Sequence, residues 1–185
     1  MAAGLAAFVL LLCPRQDPKN PDLHYNKDLG LSLQKPAGAE DWSFKTKDGR
    51  VPGSRVIVAH AKENLSVEVV VQLPTSDSYD PKRVAEDEYT QRLADGSWKE
   101  VRKKKLEDQC LPGKGAGGAR AWYVELVLRD KEDRFTEWRQ WNFVGRENRC
   151  LYKVCVVGPE GAYEKVKKDV ESILGSIRVW KLPRK

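Results

Sequence analysis

Arg55-Val56-Ile57-Val58-Ala59-His60 and Leu65-Ser66-Val67-Glu68-Val69-Val70-Val71-Gln72-Leu73 are separated by the short link Ala61-Lys62-Glu63-Asn64. In the second stretch Leu65, Val67, Val69, Val71 and Leu73 form one apolar face, with Ser66, Glu68 and Gln72 opposite. That is the period of a half-buried strand. Two such stretches joined by a four-residue turn predict an antiparallel hairpin. Downstream, Asp80-Pro81 is a helix start: the aspartate accepts free amides, and proline is tolerated at the first helical position. Val84, Ala85, Tyr89 and Leu93 give the helix a partial apolar stripe, and Asp95-Gly96 stops it. Residues 98–109 read as a lysine-guarded edge strand. Residues 121–129, 136–144 and 150–157 continue an antiparallel meander, in which Trp122, Val124, Leu126 and Leu128 share one face. A last helix over residues 162–174 carries Tyr163, Val166, Val170, Ile173 and Leu174 at helical spacing. Gly175 closes it, and residues 177–180 form a final short strand. Upstream, Leu29, Leu31 and Leu33 alternate with Gly30, Ser32 and Gln34, and Trp42-Ser43-Phe44 starts another extended piece. The expected class is α+β: a central, mainly antiparallel sheet covered by helices, one of them C-terminal.

Composition bounds the function. At 41% hydrophobic and 32% charged residues the chain is that of a folded protein rather than a disordered one. A net charge of +6 favours anionic partners, but 27 acidic residues are interspersed with 33 basic ones. The densest basic run, residues 99–105, is followed by Glu107 and Asp108 and reads as a solvated strand face. No zinc-finger spacing, RNA-binding signature or basic heptad accompanies it, which argues against nucleic acid. Gly113-Lys114-Gly115 lacks the GxxxxGK[ST] pattern and leads into a strand, so residues 111–118 read as a flexible hairpin loop. No cofactor is expected. Cysteine spacing lacks CxxC pairs, and only His24 and His60 could assist, so no metal site is expected either.

Residues 2–12 hold no polar side chain and end at Cys13. Eleven residues make a helix of about 16 Å, roughly half of the hydrocarbon thickness of a bilayer. The length fits the apolar core of a secretory signal. Leu10-Leu11-Leu12-Cys13 resembles a lipobox, whose cysteine receives a diacylglycerol, although Leu12 stands where a small residue is usual and no basic segment precedes the run. The division expected is a leader over 1–13 with lipidation at Cys13, a polar tether over 14–24, and one domain over 25–183. Three cysteines remain. In a simple meander Cys110 and Cys150 lie at the same end of the sheet, whereas Cys155 is about 17 Å further along its strand. A Cys110–Cys150 disulfide is therefore expected, provided that the outer strands adjoin.

Tyr25-Asn26-Lys27-Asp28-Leu29-Gly30-Leu31-Ser32-Leu33-Gln34-Lys35-Pro36, followed by Trp42-Ser43-Phe44, resembles the opening of PsbP-like domains. Val170-Glu171-Ser172-Ile173-Leu174-Gly175-Ser176-Ile177-Arg178 is similar to the last helix and end strand of that superfamily, with Leu31 and Ile177 where phenylalanine is usual. The superfamily includes thylakoid PsbP proteins, Ran-binding Mog-type proteins and exported bacterial lipoproteins, and the leader favours the last branch. The resemblance implies an α/β/α sandwich and a role in binding rather than catalysis.

These readings converge on a non-catalytic accessory domain outside the cytoplasmic membrane, anchored through its lipid and meeting an envelope protein or an anionic surface. Tryptophan and arginine are enriched in binding hot spots, so the expected contact surface holds Trp138 and Trp141 with Arg134, Arg139 and Arg146. The competing role for the two tryptophans is sheet packing. Their opposite strand parity allows only one of them to face a given core. An envelope hydrolase is the first alternative function. It would draw on His60, Ser76, Asp77 and Ser78, but no GxSxG elbow supports it. A secreted eukaryotic binding protein is the second, from the sequon Asn64-Leu65-Ser66.

Overall fold

The computed structural model describes residues 16–181 apart from 18–19, 28, 47–53, 75–78, 95, 97, 99 and 113–118. The chain runs β1 (Gln16–Asp17), β2 (Asn20–Asn26), β3 (Leu31–Gln34), β4 (Trp42–Thr46), β5 (Ser54–His60), β6 (Leu65–Gln72), α1 (Pro81–Ala94), β7 (Glu100–Cys110), β8 (Arg120–Arg129), β9 (Phe135–Val144), β10 (Leu151–Pro159), α2 (Ala162–Lys165), α3 (Lys167–Ser176) and β11 (Arg178–Val179). Seven strands form the large antiparallel sheet, in the order β4-β5-β6-β10-β9-β8-β7. The expected hairpin is β5–β6, with His60 opposite Leu65 across the turn. Residues on β7 to β10 form the expected meander, and the lysine-rich β7 is its edge.

Strand alternation gives the large sheet two different faces. One carries Val58, Val67, Val69, Tyr123, Trp141, Phe143, Tyr152 and Val154, which pack with Val170, Ile173 and Leu174 of α3. The other carries Val124, Leu126 and Leu128, which pack under Ala85 of α1. Asp80 caps α1 as expected: its Oδ1 accepts the Lys82 amide at 2.9 Å. The C-terminal helix departs from the expected single span. Val166 at φ −116° breaks it into α2 and α3, and α3 continues through Gly175 to Ser176. Among the described residues no helix is long and apolar enough to cross a membrane.

The sequence does not announce a second sheet. Strands β1, β2, β3 and β11 form one, in the order β1-β2-β3-β11. Residues 16–17 and 20–24 are therefore paired strand rather than free tether. Leu23 and His24 are registered with Gln34 and Leu33, and Gln16 with His24. The prolines mislead here because Pro21 falls ahead of the β2–β3 ladder, where it removes no central hydrogen bond. Leu31 and Leu33 point inward into the main core and are fully buried.

The expected disulfide does not form, and Cys110, Cys150 and Cys155 are free thiols. Cys110 and Cys150 do lie at the same end of the meander, since Cys110 is opposite Arg120 and Val144 is opposite Leu151. Their strands, however, are separated by β8 and β9. Three inter-strand spacings put them about 14 Å apart, beyond the roughly 7 Å limit for a bridge. The open sheet does not bring its first and fourth meander strands together.

Candidate functional site

Strand β9 separates the two tryptophans proposed from sequence. Trp141 faces the main core at 2% exposure, its indole N–H donating to Gln109 Oε1 at 3.2 Å and its ring 4.9 Å from Tyr123. It is buried and cannot present a contact surface. Trp138 faces the other way, beneath α1, where the Arg92 guanidinium lies 3.4 Å from its ring centre. Both tryptophans pack the sheet, as their parity allows.

The three arginines are likewise not one patch. Arg134 is exposed in the β8–β9 turn, where its Nε donates to Asp130 Oδ2 at 2.8 Å. Arg139 is largely enclosed. Its Nε donates to Glu137 Oε1 at 2.7 Å, a second nitrogen approaches Glu125 at 3.4 Å, and its guanidinium lies 3.8 Å from the Tyr163 ring. Burial alone would lower the Arg139 pKa, but these carboxylates hold it above the ordinary value. Burial, with the Glu125 charge adding to it, pushes the Tyr123 phenol far up. This cluster leaves no room for a ligand and joins β8, β9 and α2 as a structural tie.

Arg146 has a different setting. It lies exposed in the turn between β9 and β10 and helps to line a groove of about 160 Å³. Gly145 and Glu147 line it from the same turn, Arg178 and Val179 from β11, Phe143 and Val144 from the end of β9, and Ala119 from just ahead of β8. The turn is held by Asn148. Its Nδ2 donates to Tyr152 Oη at 2.6 Å and to the Trp180 carbonyl at 2.8 Å, while its Oδ1 accepts the Cys150 amide at 3.1 Å. Gly145 is required there because a Cβ would collide with the Asn148 amide oxygen. The Tyr152 hydroxyl donates to the Leu29 carbonyl at 3.2 Å, tying the turn to the small sheet.

The groove is basic. Arg178 donates to the backbone carbonyls of Gly175 and Ile177, at 2.8 and 3.0 Å, and meets no carboxylate among the described residues. Arg146 likewise has no acidic partner among them. Glu147, the acid of the groove, accepts the Lys181 amide at 3.2 Å. Two guanidinium groups beside apolar walls suit an anion carried on a larger apolar body. The sequence pointed to Arg146. It gave no signal for Arg178, which only the pairing of β11 with β3 brings alongside.

His60 ends β5, and its Nδ1 accepts the Glu63 amide at 3.1 Å while its ring stands edge-on to Trp42. Among the described residues no hydroxyl or thiol is its hydrogen-bond partner. Ser76, Asp77 and Ser78 lie outside the described residues, as do Cys13 and the Gly113–Gly118 loop.

No family model matches the sequence, and no curated protein does. Solved structures do match. Cyanobacterial PsbP (CyanoP) from Synechocystis sp. PCC 6803 superposes at a TM-score of 0.55 and 15% identity, over 85% of this chain and 91% of that one. The fold is PsbP-like. LpqN, involved in cell envelope biogenesis of Mycobacterium tuberculosis, superposes at 0.51 and 12% identity, over 81% of this chain and 84% of its own. The Saccharomyces cerevisiae Ran-binding protein Mog1p matches at 0.49 and 10% identity, over 82% and 91%. At such identities the likeness concerns the fold alone, and the groove must speak for its own chemistry.

Proposed function

We propose that this protein is a non-catalytic accessory domain of a bacterial envelope, an α/β/α sandwich exported by residues 1–13 and held at the outer side of the cytoplasmic membrane through Cys13. The observation that carries this reading is the basic groove. It offers Arg146 and Arg178 to an anionic group, while His60 and Arg139, which could otherwise serve chemistry, are engaged in packing and ion pairs. The leader ending at Cys13 supports export and lipidation, and the fold shared with an envelope-biogenesis protein is consistent with the location. A diacylated cysteine anchors stably where one acyl chain would not.

The test is cell fractionation with metabolic labelling. Wild-type protein should sediment with membranes and incorporate labelled palmitate, and Cys13→Ser should appear in the soluble envelope fraction without label. Wild-type protein that is already soluble, or unlabelled, would refute anchoring. Turnover of an envelope substrate, lost in a folded His60→Ala variant, would refute the non-catalytic part.

A further inference from the structure

The pairing of the small sheet brings together residues that are far apart in sequence. His24 and Leu33 are partners across β2 and β3 and are buried toward the core. Their neighbours Tyr25 and Ser32 are also partners, and Ser32 is in turn opposite Arg178. Cross-strand partners share a face, so Tyr25, Ser32 and Arg178 form a row on the side away from the core, with Tyr25 and Arg178 exposed and Ser32 covered between them. Tyr25 is 45% exposed, and its ring stacks on Trp180 with centres 5.0 Å apart and planes 15° apart. Lys181 follows at once, and the Asn148 bond to the Trp180 carbonyl joins this row to the Arg146 turn. The result is one continuous patch: a stacked tyrosine–tryptophan pair edged by Arg146, Arg178 and Lys181, with the Glu147 carboxylate among them.

We infer that this patch lies against an anionic lipid surface, with the Tyr25–Trp180 pair at headgroup level and the three cations on lipid phosphates. The inference rests on the membrane-anchored reading and adds an orientation to it. Tyrosine and tryptophan favour the membrane–water interface because an apolar ring and a polar edge are satisfied there together. Clustered basic side chains are drawn to anionic leaflets. The position of the anchor selects the same side. Gln16 is opposite His24, next to Tyr25, and only residues 14 and 15 stand between Gln16 and Cys13. At full extension those three steps reach about 11 Å. An anchor at Cys13 therefore holds the bilayer beside the small sheet and raises the local concentration of headgroups at this patch above all others.

Full-length protein reconstituted with vesicles tests the orientation. Vesicles of phosphatidylcholine alone are compared with phosphatidylcholine–phosphatidylglycerol mixtures, some carrying bromine-labelled acyl chains that quench tryptophan at contact. The expected results are binding on the order of tenfold tighter to the anionic vesicles and bromine quenching that largely disappears in Trp180→Phe. An Arg146→Gln/Arg178→Gln/Lys181→Gln variant, at unchanged thermal stability, should lose the preference for anionic vesicles. Equal binding to both vesicles, with quenching unchanged by Trp180→Phe, would overturn the orientation and leave the anchor standing. Binding to anionic vesicles alone, abolished in the triple variant, would keep the patch and remove the anchor. Binding to neither would overturn both and leave the groove to a protein partner.

Discussion

His24 is a buried imidazole at 1% exposure, its ring 5.6 Å from Phe44 and its Nε2 without a hydrogen-bond partner among the described residues. Burial lowers its pKa below the ordinary value of 6.5, because the charged form is not solvated there. The consequence for stability follows from proton linkage. Above pH 6.5 the ring is neutral in both states. As pH falls through that value, the unfolded chain takes up a proton that the folded chain refuses, so stability is lost on the acid side. Urea unfolding at pH 7.5 and 5 should show a larger loss for wild type than for His24→Leu, which cannot titrate. Equal losses would mean that the imidazole is hydrated or paired. Tyr152 illustrates the opposite treatment of a buried polar group, since its hydroxyl is bonded to both Asn148 and Leu29.

The helices differ in what holds them. Helix α3 buries Val170, Ile173 and Leu174 in the main core, at roughly 1.5–3 kcal/mol for each large apolar side chain. Among the described side chains of α1 only Ala85 is fully buried. Tyr89 packs partly buried against the same cluster, and the remaining attachments are polar or cationic: Glu88 with Lys153 at 2.7 Å, Arg92 over Trp138, and Lys82 5.4 Å from the centre of Trp122. Such contacts contribute little each. Helix α1 should therefore open without global unfolding, and its amides should exchange with deuterium well before those of α3. Exchange of the two helices at one common rate would show that α1 belongs to the main cooperative unit.

At the scale of the whole molecule, the open sheet fixes the chemistry of the cysteines. Cys110 is exposed, whereas Cys150 is fully buried and Cys155 is 5% exposed. Burial raises the thiol pKa of both inner cysteines and suppresses the reactive thiolate. Of these three, native protein should expose one thiol to a maleimide reagent, lost in Cys110→Ser, and all three should react after unfolding. Protection of Cys110 that is relieved by reductant would instead indicate a disulfide.

Alternation in residues 65–73 made the hairpin legible, and Asp80-Pro81 marked the first turn of α1, because these signals are local and their period survives any packing. The meander and the lysine-guarded edge were legible for the same reason. Parity along β9 already stated that Trp138 and Trp141 could not share a face. It could not say which face met α1 and which met α3, since that depends on which helix returns to which side of the sheet. The second sheet, the separation of Cys110 from Cys150 by two intervening strands, and the meeting of Tyr25 with Trp180 all depend on which strands adjoin across long separations in the chain. Sequence alone determined most of the elements and their amphipathic faces, though not β1, β2 or the break at Val166, because hydrophobic period and capping act over a few residues. Tertiary structure decided the neighbours, and with them the basic groove, because only packing brings Arg146 and Arg178 to one place.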